Sequence, residues 1–268
     1  MAREFRILLA SDGSPSAHAA AALALAFPWP RRSLARAVVA LGPQKLVEEA
    51  RRRLAARWPR AEAVALDVEP AEAILGEQRR MRADIVVLGW RGHGSFRRLL
   101  AGSVSRKVAE SAPCPVLVAR SEGGESPRKP KRFVAGYDGS PNARRVLRLL
   151  ERFEPPTGNR LFLVGVAGPS ALPPLFPGED ARRRRERLKK VQASLLAAVG
   201  PLERRGWRVS PLAFVGEPLA ALLDVVDERR ADVLVVGARS TRGSARLLLG
   251  SVAQGALSLS PVSILVAR

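Results

Sequence analysis

Much of the usual apparatus of catalysis and anchoring is scarce in this chain. One cysteine, Cys114, among 268 residues permits no internal disulfide and no cysteine-based zinc site. It stands between Pro113 and Pro115 and reads as a small apolar residue at the start of a strand, not as a nucleophile. Histidine occurs only at His18 and His93, neither with a second ligand at metal-binding spacing. Aromatic residues make up 5%, which argues against the base-stacking platforms that bind single-stranded nucleic acid. The longest apolar run, Ala17 to Phe27, is stopped by Pro28 and Pro30 and is too short to span a bilayer. The opening MAREFRILLAS lacks the apolar core and cleavage site of a secretory leader, so a cytoplasmic location is expected.

What is abundant is arginine. The formal charge is +20, and lysine accounts for only six of the 45 basic residues. Such an excess fits either a solvated arginine-rich surface or an anion-binding face, and composition does not choose between them. With 47% hydrophobic and 26% charged residues, a packed globular fold is expected. The length suits two domains, each burying its own core.

The chain repeats itself. Residues 91–120 align without a gap onto 239–268, and ILLASDGSPSA (Ile7 to Ala17) is answered by FVAGYDGSPNA (Phe133 to Ala143). Domains are therefore expected at 1–120 and 132–268, with the Gly-, Pro- and charge-rich residues 121–131 as a linker. Short apolar runs alternate with amphipathic ones, the signature of βαβ crossovers. Strands are predicted near 4–10, 34–40, 62–68, 84–89 and 115–119, then near 132–137, 160–166, 207–213, 232–237 and 262–267. Helices are predicted near 14–27, 43–57, 70–81 and 101–111, then near 140–152, 179–204, 217–230 and 249–259. The second copy carries an extra Pro-rich segment, residues 168–180, either a flap or an irregular loop.

Near the end of each fourth strand comes a glycine string, GWRGHGSFRRLLAGS (Gly89 to Ser103) and GARSTRGSARLLLGS (Gly237 to Ser251). It falls at the carboxyl edge of a parallel sheet, where open α/β folds bind ligands. Glycines let backbone N–H groups reach phosphate oxygens, and Ser103 and Val104 would open a helix with unpaired N–H groups. Arg91, Arg97 and Arg98 lie close by in sequence. Equally, the glycines could simply shape a strand-to-helix loop, and Asp12 and Asp138 could simply bond the turns they start. The string is neither a P-loop, having no Gly-Lys-Ser/Thr, nor a dinucleotide fingerprint, since it follows the fourth strand.

The spacing Gly89-x2-Gly92-x9-Gly102-Ser103, the strand-ending Asp12 and the closing APCPVLVAR resemble the universal stress protein family in its tandem two-domain form. The resemblance covers almost the whole chain. It implies, for each copy, a doubly wound, Rossmann-like five-stranded parallel sheet of order 3-2-1-4-5, of the adenine-nucleotide alpha hydrolase type, flanked by helices. It further implies ATP, with Mg²⁺ or Mn²⁺ bridging its phosphates. Asp12 and Val38 or Val39 would border adenine and ribose; Gly89, Gly92, Gly102, Ser103 and Val104 would border the phosphates. The second copy has Asp138, Val166, Gly237, Gly250, Ser251 and Val252 at matching places, but Ser240 replaces the second glycine. Its Val215-Gly216-Glu217-Pro218 resembles the family's Gly-x-Pro entry to the third helix, where the first copy has Val68-Glu69-Pro70.

The last strands, PVLVAR and SILVAR, need partners, and the resemblance implies that they pair antiparallel as an internal pseudo-dimer, leaving other surfaces for any homodimer. A nucleotide-dependent regulatory role in stress response is expected. A slow ATPase on the same sites, or a basic partner- or nucleic-acid-binding module with vestigial loops, stand as alternatives. No paired carboxylates, Walker lysine or nucleophile–base pair can be placed at the string, so binding is better supported than turnover.

Overall fold

A computed structural model describes residues 3–90, 102–120, 129–168, 179–238 and 249–268. Among these, strands and helices alternate through the first half as β1 (Phe5–Ser11), α1 (Pro15–Ala26), β2 (Ser33–Ala40), α2 (Gln44–Ala55), β3 (Glu62–Leu66), α3 (Pro70–Met81), β4 (Ile85–Gly89), α4 (Ser103–Ser111) and β5 (Val116–Ala119). The second half repeats the series as β6 (Arg132–Gly136), α5 (Pro141–Leu150), β7 (Arg160–Ala167), α6 (Glu179–Arg204), β8 (Val209–Val215), α7 (Pro218–Glu228), β9 (Val233–Gly237), α8 (Ser251–Leu259) and β10 (Ser263–Ala267). No helix among the described residues is long and apolar enough to cross a membrane. The linker up to residue 128 and most of the Pro-rich segment, residues 169–178, lie outside the described residues.

Each half opens with the same helix-starting device. The Asp12 carboxylate accepts the Ser14 backbone N–H at 3.0 Å, Gly13 turns the chain at φ +75, and the Ser14 hydroxyl accepts the Ala17 N–H at 3.1 Å. Pro15 follows in the first turn, where its missing N–H costs nothing. Asp138, Gly139, Ser140 and Pro141 do the same, at 2.9 Å, φ +75 and 3.1 Å. A left-handed φ at the second position of the turn is what requires glycine there.

The strands form one sheet in the order β3-β2-β1-β4-β5-β10-β9-β6-β7-β8. Each half thus has the order 3-2-1-4-5, and the neighbours within a half are parallel. The halves join where β5 and β10 pair antiparallel, Val118 opposite Ile264 and Val116 opposite Val266. Neither last strand is left as an edge, as the pseudo-dimer expectation requires.

This junction alters the expectation of one core per domain. Alternation along β1 sends Ile7 and Leu9 to one face of the sheet and Leu8 and Ala10 to the other. Helices α1, α2, α5 and α6 cover the first face; α3, α4, α7 and α8 cover the second. Both layers run through the two halves, because the sheet beneath them is continuous. The scarce aromatic residues concentrate at the seam. Phe27 meets Phe133 and Phe153 edge-on, with ring centroids 6.0 and 5.2 Å apart, and Trp29 meets Phe153 at 5.8 Å. Such edge-to-face contacts contribute roughly 0.5–1.5 kcal/mol each beyond the area they bury.

Candidate functional site

Two cavities open at the carboxyl edge of the sheet, one per half, with volumes of about 270 and 280 Å³. Each sits where the chain order reverses between the first and fourth strands, the topological switch point of an open α/β sheet. In the first, Ala10, Val38, Ile74 and Leu88 form an apolar wall, Asp12 stands at the rim after β1, and Gly102, Ser103 and Val104 at the start of α4 form the far side. In the second, Val164, Leu222 and Val236 form the wall, Asp138 the rim, and Gly250, Ser251 and Val252 the start of α8. Gly89, Gly237 and Val166 also line these cavities.

The helices on the two sides of each cavity begin differently. Ser14 and Ser140 cap α1 and α5 with their hydroxyls. Gly102 and Gly250, at the same position before α4 and α8, offer no side-chain cap, and neither helix has an acidic residue in its first turn. The first N–H groups of α4 and α8 therefore face the cavities at the positive end of a helix dipole with no competing side chain. One backbone hydrogen bond joins residues near the two ends of each glycine string. The Trp90 carbonyl accepts the Gly102 N–H at 2.9 Å, and the Ala238 carbonyl accepts the Gly250 N–H at 2.7 Å. Only in the first half does the Ser105 hydroxyl add a bond to Trp90, at 2.9 Å. Trp90 also joins β4 to the other half, donating its indole N–H to the Leu257 carbonyl at the end of α8 at 2.9 Å, beneath the Arg120 guanidinium.

A family model for the universal stress protein family matches residues 5–120 and, a second time, residues 129–268. The chain belongs to the universal stress protein family. A universal stress protein of Thermus aquaticus is 38% identical over 133 residues, covering 42% of this chain and 97% of that protein. One from Mycobacterium tuberculosis is 30% identical over 195 residues, covering 69% of this chain and 62% of that protein. Among solved structures, a universal stress protein from Archaeoglobus fulgidus superposes with a TM-score of 0.66 at 19% identity, covering 98% of this chain and 96% of that one. This last likeness shows the fold alone.

The register of this universal stress protein places the second-strand valines of the two halves. Val38 lines the first cavity, but Val39 packs on the opposite face of the sheet, since neighbours on a strand alternate. In the second half, Gly136 pairs with Val164 as Ala10 pairs with Val38. Val164 is therefore the counterpart of Val38, and Val166 corresponds to Ala40; all four line their cavities. Pro70 and Pro218 open α3 and α7 alike and line the two cavities, so the different residues preceding them lead to the same placement. Gly92, Ser240, His93, Arg91, Arg97 and Arg98 lie outside the described residues.

Gly89 has a packing reason of its own. A Cβ there would lie 2.6 Å from the Ser16 backbone carbon and oxygen, so glycine lets α1 pass close to the end of β4. At Gly237 the nearest atoms, in Asn142, are 3.5 Å from such a Cβ, an ordinary contact. Of the residues with nucleophilic or ligating chemistry, Cys114 is buried and its thiol is pushed up to about 12, chiefly by desolvation. His18 lies 3.4 Å from Glu49 of α2. No group of three or more metal-ligating side chains occurs among the described residues.

Proposed function

We propose that each carboxyl-edge cavity binds an adenine nucleotide, ATP with its divalent cation, and that occupancy serves a regulatory role in a cytoplasmic stress response. The observation that carries this reading is the pairing, twice in one chain, of an apolar slot with a helix N-terminus that no side chain caps. A flat, weakly polar ring suits aliphatic walls such as Val38 and Ile74, and phosphate oxygens suit the first-turn N–H groups of α4 and α8. The volumes, about 270 and 280 Å³, lie just under the roughly 300–1,000 Å³ of typical small-molecule sites. A nucleoside would fill such a slot, and its phosphates would extend along the sheet edge.

Asp12 and Asp138 are held by the turns they start, which fixes them on the rim of the slot for a ribose hydroxyl or a cation-bound water. Mg²⁺ or Mn²⁺ would arrive with the phosphates and be held chiefly by them. Gly92 and Ser240 belong to this reading as loop positions beside the phosphates, the second with a side chain where the first has none. Nucleotide-dependent ordering of the loops would bias the contact with a downstream partner.

The test is calorimetric titration of ATP and Mg²⁺ into the wild-type chain and into Ser103→Asp and Ser251→Asp. A carboxylate in the first turn of a helix suits the dipole, so the fold should be kept. The same charge occupies the place of a phosphate. Saturable binding whose stoichiometry falls by half in either variant is expected; stoichiometry unchanged in both would overturn the reading.

A further inference from the structure

The opposite, amino-terminal edge of the first half carries a larger concavity, a groove of about 940 Å³ against about 270 Å³ for the nucleotide cavity above it. Six arginines and three glutamates line it. Three of the arginines have carboxylate partners: Arg31 pairs with Glu154, Arg36 with Glu62 and Glu77, and Arg80 with Glu77. Arg6, Arg57 and Arg60 have no ion-pair partner among the described residues.

Two of these three are nonetheless fixed in place. Arg57 donates from Nη1 to the Leu25 and Phe27 carbonyls at the end of α1, at 2.7 Å each, and its guanidinium lies 5.1 Å from the Trp58 ring centre. Arg6 donates from Nη1 to the Met81 carbonyl at the end of α3, at 2.7 Å. Among the described residues, Nε and Nη2 of both guanidiniums donate no hydrogen bond. Burial depresses the Arg57 pKa, and only the charge of Glu154 opposes the shift. A half-buried, oriented cation with no direct ion pair and only a more distant carboxylate costs folding energy that a bound anion would relieve. The second half lacks the counterpart of Arg57: Trp58 follows Arg57, whereas Trp207, the tryptophan after the matching helix, follows Gly206.

We propose that this groove is a second ligand site, separate from the nucleotide cavities, and that it takes a small polyvalent phosphate anion held by Arg6, Arg57 and Arg60. Three guanidiniums, Arg6 from β1 and Arg57 and Arg60 from the connection between α2 and β3, call for an acceptor that offers oxygens in several directions. A phosphate chain does so, whereas a carboxylate presents two oxygens in one plane. The glutamates in the lining, Glu4, Glu62 and Glu154, disfavour an extended polyanion such as nucleic acid, whose phosphates would be laid across them.

The probe is tripolyphosphate, titrated calorimetrically at low ionic strength into the full chain carrying Ser103→Asp and Ser251→Asp. That background puts carboxylates at both carboxyl-edge helix starts, so the remaining binding reports the groove. Saturable binding near one per chain is expected, weakened about tenfold by adding Arg60→Gln, the loss of one charge-assisted bond. Arg60 is exposed; Arg57→Gln is the second variant, used after its helical circular dichroism is shown to match the parent. No binding in the background, or the same affinity with Arg60→Gln, would overturn the proposal. Citrate binding as tightly as tripolyphosphate would overturn its phosphate chemistry, and a single-stranded oligonucleotide binding more tightly would overturn its small-ligand class. Should ATP fail to bind the wild-type cavities while tripolyphosphate binds in an Arg60-dependent way, the nucleotide reading falls and the groove stands.

Discussion

Adding one methyl group at Gly89 and at Gly237 should have opposite consequences, although the two glycines end equivalent strands. At Gly89 the new Cβ would sit 2.6 Å from the Ser16 backbone carbon and oxygen and 2.8 Å from its Cβ. Ser16 cannot easily give way, because it lies in the first turn of α1, held by the Ser14 cap and Pro15. Overpacking of this kind costs about 1–3 kcal/mol. At Gly237 the nearest atoms stand at 3.5 Å, so the methyl group meets only normal contact. Replacing glycine by alanine also stiffens the unfolded chain, a gain of about 0.4–1 kcal/mol where the native backbone allows it. That gain is common to both sites, so the difference between the variants isolates the clash at about 1–3 kcal/mol. At about 2–4 °C per kcal/mol for a chain of this size, Gly89→Ala should melt roughly 2–12 °C below Gly237→Ala. Scanning calorimetry with urea titration by far-UV circular dichroism would read both stability and slope. Equal stability of the two variants would refute the packing explanation of Gly89.

Removing either cap hydroxyl, Ser14→Ala or Ser140→Ala, should cost about 1 kcal/mol, read as a lower urea midpoint at unchanged slope. Cys114, with its thiol pushed up to about 12 by burial, should resist alkylation at pH 8 in the native protein and react at once in urea. Glu77 is 2% exposed; burial opposes its ionisation, but hydrogen bonds from Arg80 and Arg36 outweigh this and hold its carboxyl below the ordinary 4.5. A carboxyl depressed in the folded state adds stability above its unfolded pKa and loses it as pH falls through the folded value. Glu77→Gln should therefore be less stable than the parent at pH 7, with the gap closing below about pH 4; a gap independent of pH would contradict this.

Much of the architecture is legible in the sequence because the chain states it twice. The bounds of α3, Pro70–Met81, and of α6, Glu179–Arg204, agree with the periodic pattern to the residue. Asp-Gly-Ser-Pro identifies a helix start because each of its four residues has one mechanical task in the turn. Adjacent valines are another matter. Val38 and Val39 are equally apolar, and only the pairing of β2 with β1 decides which faces the cavity. The shared core is also hidden, since Phe27, Phe133 and Phe153 meet only once β5 and β10 have paired. Nor does the sequence reveal the amino-edge groove, which brings Arg6 of β1 to the same concavity as Arg57 and Arg60 of the connection after α2. A run such as the arginines at 182–185 stands out in the sequence, whereas three scattered arginines brought together by the fold do not.

The most direct test of the nucleotide reading is a crystal structure of the protein grown with saturating ATP and Mg²⁺. Density for adenine is expected between Val38 and Ile74 in the first cavity and beside Val164 and Leu222 in the second, with phosphates at the starts of α4 and α8. Cavities that stay empty at saturating ATP, or nucleotide bound only elsewhere on the chain, would contradict it.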